Sequence, residues 1–299
     1  MSAGIVVGYT ATDAGSDAAV FGARLARALG TRLHLVIVLP REGTRSAAVA
    51  PDRAYEDVIR GQARTWLDEA LRTLPQDVPR SAHVRFGESF AEGLVAAGEE
   101  FGARMIVVGA AGGALLGRHR LGSVASELLH SSTLPVALVP AGGAADPATA
   151  LTRVTAALGT RPGADVLLDE AVGLAGAAGA TLRLVSLMPF DVPPGLDTGA
   201  IRIAGDEHGE DVLSAARAAL PAGVSAEVER APGDSVEDAV AHLDWQPGEV
   251  VLVGSSRLAQ PRRLFLGSTA AKMLHVLPVP MIVVPRTRAA GHPLGGDPA

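Results

Sequence analysis

The segment from Met105 to Pro140 returns without a gap as Val250 to Pro285, with 13 of its 36 positions identical. The matches are more than shared alanines. They include Gly109/Gly254, Arg118/Arg263, Gly122/Gly267, Ser123/Ser268, His130/His275 and Pro140/Pro285. A second pair of segments agrees with the first: ALGTRLHLVIVLP at Ala28–Pro40 is answered by AAGATLRLVSLMP at Ala177–Pro189. A repeat of this length means two copies of one structural series, so the 299 residues read as two domains in tandem.

The boundary falls in AGGAADPATA, Ala141–Ala150, where Gly, Ala and Pro interrupt the apolar periodicity. The first domain is expected over residues 1–141, a linker over 142–150 and the second domain over 151–286. Residues 287–299, rich in Gly and Pro, read as a poorly ordered tail.

Within the first copy, apolar runs at 5–9, 33–39, 82–86, 105–109 and 136–140 alternate with helical patterns at 16–29, 54–74, 89–101 and 123–131. The second copy repeats the series, with strands near Val154, Leu182, Ala226, Val250 and Met281. Strands that alternate with helices and are almost wholly apolar predict a parallel sheet covered on both faces. Right-handed crossovers make each copy a doubly wound, five-stranded α/β domain. Ligands of such sheets bind at the carboxyl ends of the strands, where the strand order reverses, so the loops after the first and fourth strands are the candidates.

The loop after the fourth strand reads GAAGGALLGRHRLGS, which spaces Gly109, Gly112, Gly122 and Ser123 as G-x2-G-x9-G-S before a helix. Glycines let backbone N–H groups approach phosphate oxygens, and a helix N-terminus offers unpaired donors and partial positive charge. Ser123 is placed to cap that helix or to bond a phosphate, and Arg118, His119 and Arg120 add positive charge. The plainer reading of the same residues is a strand-to-helix connection with Ser123 as an ordinary cap.

This pattern resembles the nucleotide-binding members of the universal stress protein family, and the resemblance covers both copies. It implies a Rossmann-like, adenine nucleotide alpha hydrolase-like fold and a site for ATP, or for ADP or AMP. It places Gly109, Gly112, Gly122, Ser123 and Val124 on the phosphate and ribose loop and the backbone of Val38 against adenine. The family's acidic residue two places after Gly8 is Thr10 here, with Asp13 farther along the loop. In the second copy Gly254, Gly267 and Ser268 keep their places, while Arg257 stands at the place of Gly112. Ala157 and Gly159 replace Gly8 and Thr10 there, so the second site reads as degenerate, or as an altered anion site using Arg257, Arg262 and Arg263. The resemblance also implies pairing through the last strands. Residues 136–139 are then expected beside 281–284, as an internal pseudo-dimer that leaves room for a homodimer.

Other chemistry is not signalled. The sequence lacks GxxxxGK[ST], GxSxG and HExxH patterns, and with no cysteine it has no thiolate nucleophile or ligand. Slow ATP hydrolysis would need a carboxylate near the loop, for which Asp13 and Asp17 are the candidates. His130 and His275 sit where a helix C-terminus favours a cation, and Trp66 and Trp245 read as core or interface residues. A net charge of -6 without a basic stripe argues against a nucleic-acid surface. The start MSAGIVVGYT lacks a leader pattern and no run is long enough for a membrane span, so a cytoplasmic protein is expected. The function expected is an ATP-binding, non-enzymatic sensor or scaffold of the stress response. A structural or partner-binding protein that keeps its glycine loops for folding is the alternative.

Overall fold

A computed structural model describes residues 4–41, 53–110, 122–144, 146, 148–159, 163–189, 199–256 and 264–287. Gly112, Arg118, His119, Arg120, Arg257, Arg262, Arg263 and residues 288–299 lie outside the described residues.

The first half runs β1 (Ile5–Gly8), α1 (Asp13–Ala28), β2 (Leu33–Pro40), α2 (Arg53–Thr73), β3 (Arg80–Gly87), α3 (Phe90–Glu100), β4 (Met105–Gly109), α4 (Ser123–Ser131) and β5 (Val136–Val139). The second half repeats it as β6 (Arg153–Leu158), α5 (Ala164–Ala178), β7 (Thr181–Pro189), α6 (Gly199–Ala218), β8 (Ala226–Gly233), α7 (Val236–Ala241), β9 (Glu249–Gly254), α8 (Ser268–Val276) and β10 (Met281–Val284). The class is α/β, and each half is a doubly wound parallel sheet in the order 3-2-1-4-5 or its counterpart.

The two sheets are continuous. β5 and β10 pair antiparallel, Met281 opposite Leu138 and Val283 opposite Val136, giving one ten-stranded sheet in the order β3-β2-β1-β4-β5-β10-β9-β6-β7-β8. All eight residues of β5 and β10 are buried, so the last strand of each half loses its free edge to the other. One apolar layer covers the face under α1, α2 and α5, and another lies under α3, α4, α7 and α8; each contains residues of both halves.

Helix starts follow local chemistry. Thr12 caps α1 by accepting the Gly15 N–H, and Ser89 and Ser235 cap α3 and α7 in the same way. Glu92 and Asp238 then reach back to the Glu88 and Asp234 N–H groups, so the same device opens α3 and α7.

Of the two readings of Trp66, core or interface, the core does not hold, and a second expectation, about the strands, needs correction. Trp66 is 40% exposed. Its helix buries Ala63, Leu67 and Ala70, with Leu74 just past its end, a stripe that Trp66 misses by one position. The strands are also less uniformly apolar than the sequence pattern suggested. β6, β7 and β9 bring Arg153, Thr155, Arg183 and Glu249 into the interior, where both arginines pair with Glu249 at 2.7 and 2.6 Å. Arg183 also lies over the Trp245 ring, 4.9 Å from its centroid.

Candidate functional site

The strand order reverses between β1 and β4 in the first half and between β6 and β9 in the second, so each half has a crevice at those carboxyl ends. The elements around the two crevices correspond, but the room at their matching glycines, Gly109 and Gly254, differs.

In the first half the chain turns tightly after β1. Thr12 N–H donates to Thr10 O at 2.7 Å, and the Thr10 and Thr12 hydroxyls meet at 2.9 Å. Thr10 is exposed, and its carbonyl lies 1.9 Å from where a Cβ on Gly15 would stand, so only glycine lets α1 begin there. This turn drives the start of α1 over the end of β4. A Cβ on Gly109 would fall 2.3 Å from the Ala14 carbonyl oxygen. The absent side chain of Gly109 thus admits protein backbone.

The other predicted residues of the first half that the structure describes lie on β2 and at the start of α4. β2 pairs with β1 only as far as Gly8 opposite Val36, whereas its pairing with β3 continues to Pro40 opposite Gly87. The backbone of Val38 therefore rises past the end of β1, while its side chain packs on Gly93 of α3. Gly122 is the N-cap of α4, with no side-chain capping bond, which corrects the expectation that Ser123 caps it. Ser123 is the first helical residue and is exposed; Val124 is half-buried against the apolar layer. The first-turn N–H groups of α4 thus carry no side-chain cap.

Asp17, a candidate for hydrolytic chemistry, is buried on α1 and accepts the Gly142 N–H at 2.7 Å. Arg24, about two helical turns farther on, donates to Asp146 O at 3.1 Å. Both side chains hold the interdomain segment against α1, so Asp17 has a structural engagement that the sequence did not disclose. Asp13 is exposed at the start of α1. Among the described residues no group of three or more His, Asp or Glu could hold a metal ion, and no helix is long and apolar enough to cross a membrane.

In the second half, Gly267 caps α8 with the geometry of Gly122, and Ser268 is exposed at the first helical position. Gly254, however, has open space where Gly109 has none: the nearest atom to an added Cβ is Leu167 Cδ2 at 4.0 Å. A cavity of about 290 Å³ opens between β6 and β9, under the start of α8. Its apolar walls include Ala157, Leu167, Leu187, Val253 and Met273, and Arg286 contributes charge. The approach to α8 is fixed from the other half, because Leu264 N–H donates to Ser132 O at 3.1 Å and His130 stands edge-on to Phe265. His130 is in the last turn of α4, as the sequence indicated, but its cross-domain contact was not legible.

Fold and crevices define a class, the doubly wound α/β proteins whose ligand position lies at the strand-order reversal. The chain belongs to the universal stress proteins: the profile of the Universal stress protein family matches residues 1–140 and again residues 151–285. Universal stress protein Rv2319c of Mycobacterium tuberculosis is 28% identical over 291 residues, covering 94% of this chain and 99% of that protein. Universal stress protein G of Salmonella typhimurium is 34% identical over 110 residues, covering 36% of this chain and 76% of that protein. The crystal structure of a universal stress protein from Archaeoglobus fulgidus shares the fold, with a TM-score of 0.58 at 17% identity over 95% of this chain and 98% of that one.

Proposed function

We propose that the protein is an adenine-nucleotide-binding sensor or scaffold of the stress response, taking ATP, or ADP or AMP, mainly in its first half. Thr10 and the Val38 backbone face the base in this reading; Gly109, Gly112, Gly122, Ser123 and Val124 serve phosphate and ribose. Gly254, Arg257, Gly267 and Ser268 form the counterpart of lesser weight. The observation that carries the reading is the start of α4, where Gly122 caps the helix without a side-chain bond, so first-turn N–H groups are left without a side-chain cap on the helix that follows β4, one of the two strands at the reversal of strand order. The reading is non-enzymatic, and it is supported by the engagement of Asp17 with Gly142. Joined β5 and β10 support a chain that acts as its own pseudo-dimer, in the cytoplasm, with a homodimer as the further assembly.

Calorimetric titration with ATP tests this. Gly122→Val is expected to abolish binding and Gly267→Val to leave most of it; wild-type protein that takes up no heat at millimolar ATP refutes the reading.

A second reading is favoured by one contact. Gly109 is required by the Ala14 carbonyl, so the glycine has a packing role without any ligand. On that reading the protein binds a partner and not a nucleotide, and a stoichiometric nucleotide retained through gel filtration rejects it.

A further inference from the structure

The ten-stranded sheet is joined at its middle, where β5 meets β10, and ends at β3 on one side and β8 on the other. These two edges are repeat images of each other, yet they carry opposite charge. β3, RSAHVRFG, has Arg80 and Arg85 and no acidic residue, and Arg60 and Arg64 of α2 border a cleft of about 410 Å³ beside it. β8, AEVERAPG, has Glu227 and Glu229, and its one arginine, Arg230, pairs with Glu210 at 3.5 Å. Among the described residues, the exposed large hydrophobic side chains on strands are Phe86, 37% exposed, and Val228, 42% exposed, one on each edge.

The backbone on both edges is set to pair. Leu33 and Arg41 N–H groups donate to Pro79 O and Gly87 O, so the odd-numbered residues of β3 turn their backbone groups to β2 and the even-numbered ones turn theirs outward. Val84 O shows this, because it accepts the Arg85 guanidinium at 3.2 Å, which places that cation on the open edge. In β8, Glu229 lies opposite Val185 as His83 lies opposite Val36, so the repeat turns Ala226, Val228, Arg230 and Pro232 outward. Proline, with no N–H to give, belongs at such a position.

The strands of the two halves run antiparallel across β5 and β10, so a second copy that continues the sheet lays its β3 antiparallel to β8 of the first, with matching faces. Val84 opposite Val228 then sets one outward residue against another. The same register puts Arg85 opposite Glu227, and Phe86 opposite Ala226 and diagonal to Val228. Glu227 is available for this, being 61% exposed with its internal partner Arg153 at 3.8 Å. Joining like edges would instead gather arginines at β3 or glutamates at β8, which is repulsive.

We infer that the chain associates head to tail with a second copy of itself, β3 of one copy adding to β8 of the next through the Arg85–Glu227 and Val84–Val228 pairs. The contact is heterologous, so it repeats into open chains and does not close as a twofold dimer. A single strand pair buries little surface, so the association is weak and reversible. It holds whether or not either crevice binds a nucleotide.

Sedimentation velocity of the full chain tests it, in about 0.05 M salt and at concentrations from about 10 µM to 1 mM, the range of weak contacts. The weight-average mass is expected to rise past that of two chains as concentration grows, and to fall back toward one in about 0.5 M salt. Arg85→Glu and Glu227→Arg are each expected to weaken association about tenfold or more, by setting like charges opposite one another. An equimolar mixture of these two variants restores opposite charges at the contact and should associate as the wild type does. Val228→Lys, a change at an exposed edge position, should also keep the chain monomeric, and with Glu227→Arg it decides the matter if Arg85→Glu lowers the melting temperature. A wild type that stays monomeric at about 1 mM in low salt overturns the inference. So does a dimer that grows no further, undiminished association in any folded variant, or a mixture of the two charge variants that stays monomeric.

Discussion

Gly109 of β4 and Ala14 of α1 are in backbone contact: a Cβ on Gly109 would sit 2.3 Å from the Ala14 carbonyl oxygen, too close for any real side chain. Its counterpart Gly254 has nothing nearer than 4.0 Å. Alanine substitution should therefore separate the two halves of the repeat. Gly109→Ala forces the α1 start away and is expected to cost about 1–3 kcal/mol, the range of overpacking. Gly254→Ala should stay within about 0.5 kcal/mol, as at an unconstrained surface position. Urea unfolding of both variants measures this, and equal effects would show that the two glycines are equally constrained.

That contrast marks the limit of what the sequence disclosed. The duplication, the order of strands and helices and the placement of the glycine loops followed from apolar runs and from markers such as Gly122/Gly267 and Pro140/Pro285. The state of each crevice depends on where a helix begins to within an ångström. In the first half that is set by Gly15 folding against Thr10, a pair without any motif. Arg286 was equally hidden, because it lies after the last strand and reaches the cavity only through the fold. The engagement of Asp17 with Gly142 is also a contact across the whole first domain.

The His130 and Phe265 rings meet edge to face, with centroids 5.0 Å apart, and beside them Leu264 N–H donates to Ser132 O. The first half thereby steadies the chain leading into α8. Phe265→Ala is expected to lose about 0.5–1.5 kcal/mol of ring interaction beyond the area lost. Its sharper consequence is local: amide exchange at Leu264 should accelerate more than exchange in β9. Unchanged protection at Leu264 would show that the backbone bond holds without the ring pair.

Positions 34 and 183 correspond in the repeat, and the two halves fill them with different chemistry. Arg183 joins Arg153 on the fully buried Glu249, whose other bonds include the Thr155 hydroxyl and the Gln246 N–H. Removing the carboxylate by Glu249→Ala takes the buried counter-charge from two guanidinium groups, leaving them Glu227, Glu229 and the Asp244 carbonyl, and is expected to cost about 3–5 kcal/mol. Denaturant titration checks the value. A loss below about 1 kcal/mol would mean that water replaces the carboxylate, as it does at exposed pairs.

His34, in the matching place of the first half, is buried between Phe101, on which its ring stacks with centroids 4.3 Å apart, and the polar pair Ser81 and His83. Burial lowers its pKa to about 4, and His83, Arg32 and Arg85 act in the same direction while Glu100 opposes them. His83 is lowered as well, again chiefly by burial. A histidine held neutral in the fold binds its proton more readily in the unfolded chain, so the unfolded state takes up protons first as the medium is acidified. The stability contributed is full above the ordinary histidine value of 6.5 and falls as pH drops from there toward about 4. His34→Phe keeps the stack on Phe101 and removes the titration. Between pH 6.5 and 5, most of which lies above the ordinary carboxylate range, its melting temperature should fall less steeply than that of the wild type. Parallel slopes for the two proteins would show that His34 does not set the acid response of the first domain.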